Sequence, residues 1–365
     1  MADSAAHTTK PAVIILGAGV SGLSAGLQLQ RRGHAVTLLD RGDVGAESSW
    51  AGGGILAPLL PWDYAEPLSA LALRSMMNYA GWVDGIESHS DTRAEYVRCG
   101  MEIQGVEDLP SALDWCDAHN LMARFDAATR SVRLPDIAQV RNPYLVAALS
   151  AAIQAQGGVI HTQCAAEAVT LSGGRVTGIR TNRGLFTADR FVLATGAWAG
   201  LGLPGVAGVP NVRPIRGQML LFKLAPGVLD TILYRKGLYL IPRLDGHVLA
   251  GSTVEDVGFD KTTETAARQR LHAAAAALLP ALASIQPIRH WAGLRPGSPD
   301  NLPIIDRHPD FENVFVNTGH FRYGVTLAPA SAELLADLME GTPPALAPLP
   351  YSWKAARARS WKSTA

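Results

Sequence analysis

Six residues near the start of the chain, Gly17-Ala18-Gly19-Val20-Ser21-Gly22, restrict the fold more than any other feature. This G-x-G-x-x-G spacing lies between an apolar run, Ala12 to Leu16, and a segment of helical character from Ser21 to Arg32. The first glycine permits a tight turn, the second lets the backbone approach a pyrophosphate, and the third lets the helix sit close on the strand. The helix start offers unpaired N–H groups to an anion. A run that is apolar at every position reads as a strand buried on both faces. Gly33 takes the place of a left-handed C-terminal cap, and Ala35 to Leu39 reads as the next strand. Asp40 then stands about where an acid accepts a ribose hydroxyl, roughly 20 residues beyond the motif. Together these residues describe the first βαβ unit of a dinucleotide-binding fold.

Two rival readings start from the same residues. Gly22-Leu23-Ser24-Ala25-Gly26 matches the G-x-S-x-G nucleophile elbow, in which the serine occupies a strained strand-to-helix turn. Ser24 instead falls inside the expected helix, so the elbow reading fails. A nicotinamide cofactor is the second rival, because one βαβ unit alone does not separate NAD from FAD.

Other segments bear on that choice. Ser48-Ser49-Trp50-Ala51-Gly52-Gly53-Gly54-Ile55 follows the second strand with two hydroxyls and then three glycines. Such a segment suits a phosphate or ribityl chain and can then pass bare backbone along a flat ring. Arg190 to Ala194 and Asn313 to Val316 read as further strands, running into glycine turns at Gly196 and Gly319. The helix after Gly319 carries Pro329, tolerable in a first turn, which would set its positive end close to the glycine turn. Met219 to Leu224 and Tyr239 to Pro242 alternate as half-exposed antiparallel strands do. Ala273 to Leu279 reads as a short buried helix ending at Pro280. Trp291-Ala292-Gly293-Leu294-Arg295-Pro296 isolates one arginine among apolar neighbours.

Composition closes off other classes. At roughly 150 residues per domain, 365 residues suggest two or three domains. With 32 basic and 32 acidic side chains there is no basic field for nucleic acid. Cys99, Cys116 and Cys164 are odd in number and widely spaced, which disfavours a disulfide scaffold or a metal site. No stretch reaches about 18 uninterrupted apolar residues, so no membrane span and a cytoplasmic location are expected. Met1 to Lys10 reads as a disordered lead, and the chain from Gly341, with Lys354, Arg357, Arg359 and Lys362, as a solvated basic tail.

Ser-Trp-Ala-Gly-Gly-Gly-Ile-Leu-Ala-Pro (49–58), Tyr-x-x-Pro-Arg at Tyr239 to Arg243, Trp-Ala-Gly-Leu-Arg-Pro (291–296) and Gly-His-Phe-Arg (319–322) are specific in combination. Through them the chain resembles the D-amino-acid oxidase family of flavoproteins, from about Val13 to Leu338. The resemblance implies an α/β plus α+β architecture: a Rossmann-like FAD-binding domain interleaved with an antiparallel-sheet substrate domain. The expected divisions are 11–60, 140–204 and 292–340 for FAD, 61–139 and 205–291 for substrate, and 341–365 as tail. It also implies oxidation of glycine, sarcosine or small D-amino acids by molecular oxygen, giving an imine and hydrogen peroxide, in a branch that serves thiazole synthesis. Related enzymes imply a homo-oligomer, a tetramer among the possibilities.

By position, Gly17, Gly19, Val20, Ser21, Gly22, Asp40 and Arg41 would hold the adenosine diphosphate end of FAD. Ser48, Ser49, Gly53, Gly54 and Ile55 would follow the pyrophosphate and line the isoalloxazine, Ala166 would meet the adenine, and Gly196 would bound the cleft. Gly319, His320, Phe321, Arg322, Tyr323, Gly324, Val325 and Thr326 would bring backbone amides and a helix end to the pyrimidine side. Arg295 would fork the substrate carboxylate, Tyr239 would cap it, and Arg322 and Tyr234 would border the pocket. His320 is expected to be positional, and no residue is expected to act as acid or base. Relatives that attach flavin covalently use a late cysteine; none follows Cys164, so the FAD is expected to be noncovalent. Three departures stand out: Asp306 where relatives often have glycine in a turn, Tyr323 in place of asparagine, and Val254, which could alter pocket width. A D-amino-acid dehydrogenase with another electron acceptor and a non-catalytic binding protein remain as alternatives.

Overall fold

Each face of the opening apolar run meets a different core. Val13–Leu16 is buried at all four positions. Val13 and Ile15 pack with Leu23, Leu27, Leu145 and Leu335, while Ile14 and Leu16 pack with Val176, Ile179 and Phe191. The computed structural model describes residues 10–361, so the lead before Lys10 and the tail residue Lys362 lie outside the described residues. The helix Val20–Arg31 follows the glycine turn and holds Ser24 in its buried face. It closes at Gly33 (φ 88°), with the Gly33 and His34 N–H groups donating to Gln30 O and Leu29 O at 2.8 and 3.0 Å. That is the double bond of a Schellman cap.

The strand order in the six-stranded sheet is Ile304–Arg307, Val314–Thr318, Arg190–Leu193, Val13–Leu16, Val36–Leu39, Val159–His161. All neighbours run parallel except the antiparallel edge Ile304–Arg307. An eight-stranded sheet stands beside it, with Arg289–Gly297, Arg213–Lys223, His247–Gly251 and Leu238–Pro242 adjacent in that order. The strand Arg289–Gly297 crosses the division expected at 291/292 and pairs along its length within the second sheet.

This second sheet is buried on both faces here, not half-exposed. Leu220, Phe222, Leu240 and Val248 pack beneath the helix Thr265–Leu278, while Met219, Tyr239 and Ile241 point to the opposite core. The alternation therefore separates two buried faces. The same helix corrects the expectation for Ala273 to Leu279: it begins at Thr265, buries Ala267, Leu271, Ala275 and Leu278, and leaves Ala273 and Ala274 exposed.

Pro329 also sits deeper than expected, in the second turn of the helix Gly324–Glu340. A proline there leaves the carbonyl four residues earlier without its helical donor. The Tyr79 hydroxyl supplies the replacement, donating to Val325 O at 3.0 Å. The tail is docked at its middle, while Gly341 to Pro343, Lys354 and Arg357 stay exposed as a solvated tail would. Tyr351 and Trp353 are buried, and Trp353–Ala358 forms a short helix. Asp306, in a strand rather than a turn, accepts the Trp353 N–H at 2.8 Å, and Arg359 donates to Leu302 O at 2.9 Å. Burial of Tyr351, Trp353 and Ala356 anchors a segment that is otherwise largely exposed.

Candidate active site

A cavity of about 460 Å³ lies between the two sheets, running from Asp40, Arg41, Cys164 and Ala166 to Tyr239, Arg295 and Arg322. At its first end the turn is bare backbone. A Cβ on Gly22 would overlap the Gly17 carbonyl, and one on Gly17 (φ 105°) would overlap the Ala194 carbonyl. Strand, turn and helix can meet this closely only with glycine at both places. Asp40 is fixed by the N–H groups of Ala18 (2.7 Å) and Gly42 (2.8 Å), with lone pairs left for hydroxyl donors. Arg41 lies with its guanidinium 3.7 Å over the Trp198 ring and 3.6 Å from Glu47. Gly19, Val20, Ser21, Ser48 and Gly196 line the same end. The Ser49 Oγ accepts the Val20 N–H at 2.9 Å, so its own proton stays free for an anion.

The middle of the cleft is lined by Gly53, Gly54 and Ile55. Arg243, buried, donates to Gly53 O at 2.8 Å and to Val140 O at 2.9 Å. Thr326 Oγ1 donates to Ile55 O at 2.9 Å, so this residue acts through its side chain as well as its place in the helix start. His320, Phe321, Arg322, Tyr323, Gly324 and Val325 line the facing side. Gly319 is the exception: it lies just behind, where its carbonyl accepts from Ser298 Oγ. His320 is 1% exposed, with Nε2 3.1 Å from Ser331 Oγ and Nδ1 3.4 Å from Ser21 Oγ. Burial pushes its pKa down to about 4, so the ring is neutral and held in place. Tyr323 pairs its hydroxyl with that of Tyr64, whose ring meets it edge-on at 5.4 Å.

At the far end Arg295 enters the cavity over Gly217, where a Cβ would overlap the guanidinium. Its Nη2 donates to Ser252 Oγ (2.7 Å), and its Nη1 donates to Thr253 O (3.2 Å) and, more weakly, to Arg216 O (3.4 Å). Among the described residues no carboxylate pairs with it. Burial lowers its pKa and Arg322 adds to the fall, while Tyr239 opposes it. An arginine stays charged against such shifts. Tyr239 is buried, with its hydroxyl 3.8 Å from Met219 Sδ.

These positions refine one candidate and correct another. Tyr234 stands beside the lining rather than in it: it pairs with the lining residue Tyr239 across the strands, lies near enough to Arg322 to feel its charge, and its hydroxyl accepts the Gly237 N–H at 3.2 Å. Val254 is 48% exposed and lies outside the lining, so it does not set pocket width. Sequence reasoning missed Tyr64, Ser252, Gly217 and Met219. Arg243 stood in the Tyr-x-x-Pro-Arg motif without a role assigned to it.

The glycine cradle, the fixed Asp40 and the bare backbone at Gly53 suit a long dinucleotide with a flat ring at the arginine end. This is the site of a dinucleotide-dependent oxidoreductase. Residues 12–338 match the family described as FAD dependent oxidoreductase, and the chain belongs to that family; its cofactor is FAD. The chain is similar to glycine oxidases of Pseudomonas aeruginosa (41% identity, 93% of this chain and 98% of the relative) and Pseudomonas putida (39%, 93% and 97%). A bifunctional protein ThiO/ThiG of Nostoc sp. is 33% identical over 90% of this chain and 52% of its own length. The crystal structure of glycine oxidase from Geobacillus kaustophilus superimposes with a TM-score of 0.86 at 25% identity, covering 95% of this chain and 99% of the other. Among the described residues no helix is long and apolar enough to cross a membrane.

Proposed function

We propose that this protein oxidises glycine and other small amines, sarcosine and small D-amino acids among them, with molecular oxygen as electron acceptor. FAD, when bound, supplies the two-electron acceptor, and its reoxidation by oxygen yields hydrogen peroxide. The observation that carries the reading is Arg295: a cationic fork that enters the cofactor cavity with only neutral acceptors around it. A substrate carboxylate supplies the missing anion in two-pronged geometry. Tyr239 bounds the same space and caps that carboxylate. With the carboxylate held, the Cα–H bond of a neutral amine is aligned for hydride loss, and alignment is what this chain contributes.

No general base is required, because the departing hydride takes both electrons and the nitrogen lone pair completes an iminium ion. His320 is neutral and bonded at both nitrogens, so it serves as a support. Water then converts the iminium ion to a 2-oxo acid and ammonia, or to glyoxylate and methylamine where sarcosine is the substrate. A primary amino acid, oxygen and water thus give 2-oxo acid, ammonia and hydrogen peroxide. We place the product of glycine oxidation in thiazole synthesis for thiamine, a reading supported by the similarity to ThiO/ThiG proteins. The two sheets, on this reading, are the cores of the interleaved FAD and substrate domains, and the FAD is bound noncovalently.

A peroxide assay with glycine, sarcosine, D-alanine and D-proline side by side tests the proposal. Turnover of at least one with stoichiometric peroxide is expected, and acid precipitation should leave the yellow cofactor in the supernatant. Dye reduction without peroxide would instead make the protein a dehydrogenase.

A further inference from the structure

Arg216 and Arg295 sit on paired strands, and the same short segment touches both. Ile215 lies directly opposite Arg295 in the register, so Arg216, one residue on, projects to the other face of the sheet. There it is 2% exposed and binds three carboxylates: Glu255 at Nε, Asp260 at Nη1 (2.8 Å) and Glu264 at Nη2. All three belong to the connection 252–264 between the strand His247–Gly251 and the helix Thr265–Leu278. Nη1 also donates to Thr262 O at 3.0 Å.

The connection is tied to the strand at its beginning as well. Arg216 N–H donates to Glu255 O (2.8 Å), and Glu255 N–H donates back to Arg216 O (3.0 Å). Gln218 N–H donates to Thr253 Oγ1 (2.8 Å), its Nε2 donates to Glu255 Oε1 (2.9 Å), and its Oε1 accepts the Glu264 N–H (2.9 Å). The first two residues of the same connection are Ser252 and Thr253, whose Oγ and carbonyl orient the Arg295 fork. Burial disfavours the charge on Arg295, and Glu255 is among the groups that restore it.

We propose that Arg216 and Glu255 are positioning residues for the substrate carboxylate: their clasp holds residues 252–255 in the place from which Ser252 and Thr253 aim the Arg295 fork. The proposal rests on the reading that Arg295 binds that carboxylate. A guanidinium without an anionic partner is directed only by its neutral acceptors, so displacing these misaims it. The cofactor-facing residues Gly53, Gly54 and Ile55 are held by other partners, Arg243, Val140 and Thr326 in turn, and stay in place.

Removing Arg216 strands three carboxylates, so the decisive variant is Glu255→Gln in the FAD-loaded enzyme, probed with glycolate. Glycolate carries the carboxylate without the amine, and its binding is read from the flavin absorption band. The dissociation constant for glycolate and the KM for glycine should rise together, by roughly tenfold, with kcat changed less than about twofold. FAD content should equal that of the wild type. Arg216→Lys, which keeps the charge but loses the fork, should give an intermediate rise. An unchanged glycolate constant in FAD-replete Glu255→Gln overturns the proposal, as does loss of FAD or a fall in kcat at constant KM. If Arg295→Ala also binds glycolate normally, the carboxylate reading itself is wrong, and this proposal goes with it.

Discussion

Arg216 and Arg295 differ in one respect that decides what each can do. Both are large cations on adjoining strands of one sheet, and both are taken largely out of water. Arg216 faces three carboxylates; Arg295 faces a hydroxyl and peptide carbonyls. A buried charge costs several kcal/mol to desolvate, and ion partners offset that cost. Where the chain supplies them, the arginine holds the fold together. Where it does not, the remaining attraction is available to a ligand, and the fold carries the cost in its absence. Such local inconsistency is typical of functional positions.

The comparison can be broken most readily at Arg295. Arg295→Ala should lower kcat/KM for glycine by about 2–5 kcal/mol, the range for removing one partner of a desolvated charge pair, with FAD content intact. Steady-state kinetics together with the flavin absorbance per protein check both parts. Loss of flavin would assign Arg295 a structural role like that of Arg216.

A third buried base, His320, sharpens the contrast because it can give up its charge. Its pKa is about 4 in the fold against 6.5 for a free histidine, with burial as the cause. Between those values the unfolded chain binds more protons than the native one, so stability falls as pH drops from about 6.5 towards 4. The full effect is on the order of 3 kcal/mol, and His320→Gln should remove that part of the acid limb in urea titrations. No step in kcat attributable to His320 should appear between about pH 5 and 9. A kcat limb that vanishes in His320→Gln would show the ring taking part in chemistry.

The smallest effect is on stability at the two arginines themselves. Arg216→Met should cost about 2 kcal/mol, less than a fully buried pair, because Asp260 and Glu264 are about half-exposed and regain water. Arg295→Met should leave the urea midpoint unchanged or raise it. Equal losses at both positions would mean that Arg295 has a structural anion after all.

How much of this could be read in the chain follows the same division between near and far. Gly17 to Gly22, Asp40 and the strands around them are encoded within about 30 residues, so spacing alone places one end of the cleft. Arg295 stands out because its neighbours are apolar, and the resemblance supplied its role. Arg216 gave no such signal: its meaning arises only when residues 255 to 264 fold back onto residue 216. Pro329 was misplaced because its replacement donor, Tyr79, lies 246 residues from Val325. The tail read as solvated from composition, while Asp306 and the burial of Trp353 dock it from 47 residues away. Tyr234 is of the right residue type on the right sheet, and its position beside Tyr239 comes from strand pairing that no local spacing shows.

The claim at the centre is that Arg295 is an unpaired charge reserved for a carboxylate. Comparing glycine with glycinamide, which replaces that carboxylate by a neutral amide, tests it directly. The wild-type enzyme should prefer glycine by about a hundredfold or more in kcat/KM, and in Arg295→Ala the preference should shrink to a few-fold. A preference that survives the substitution undiminished would contradict the account.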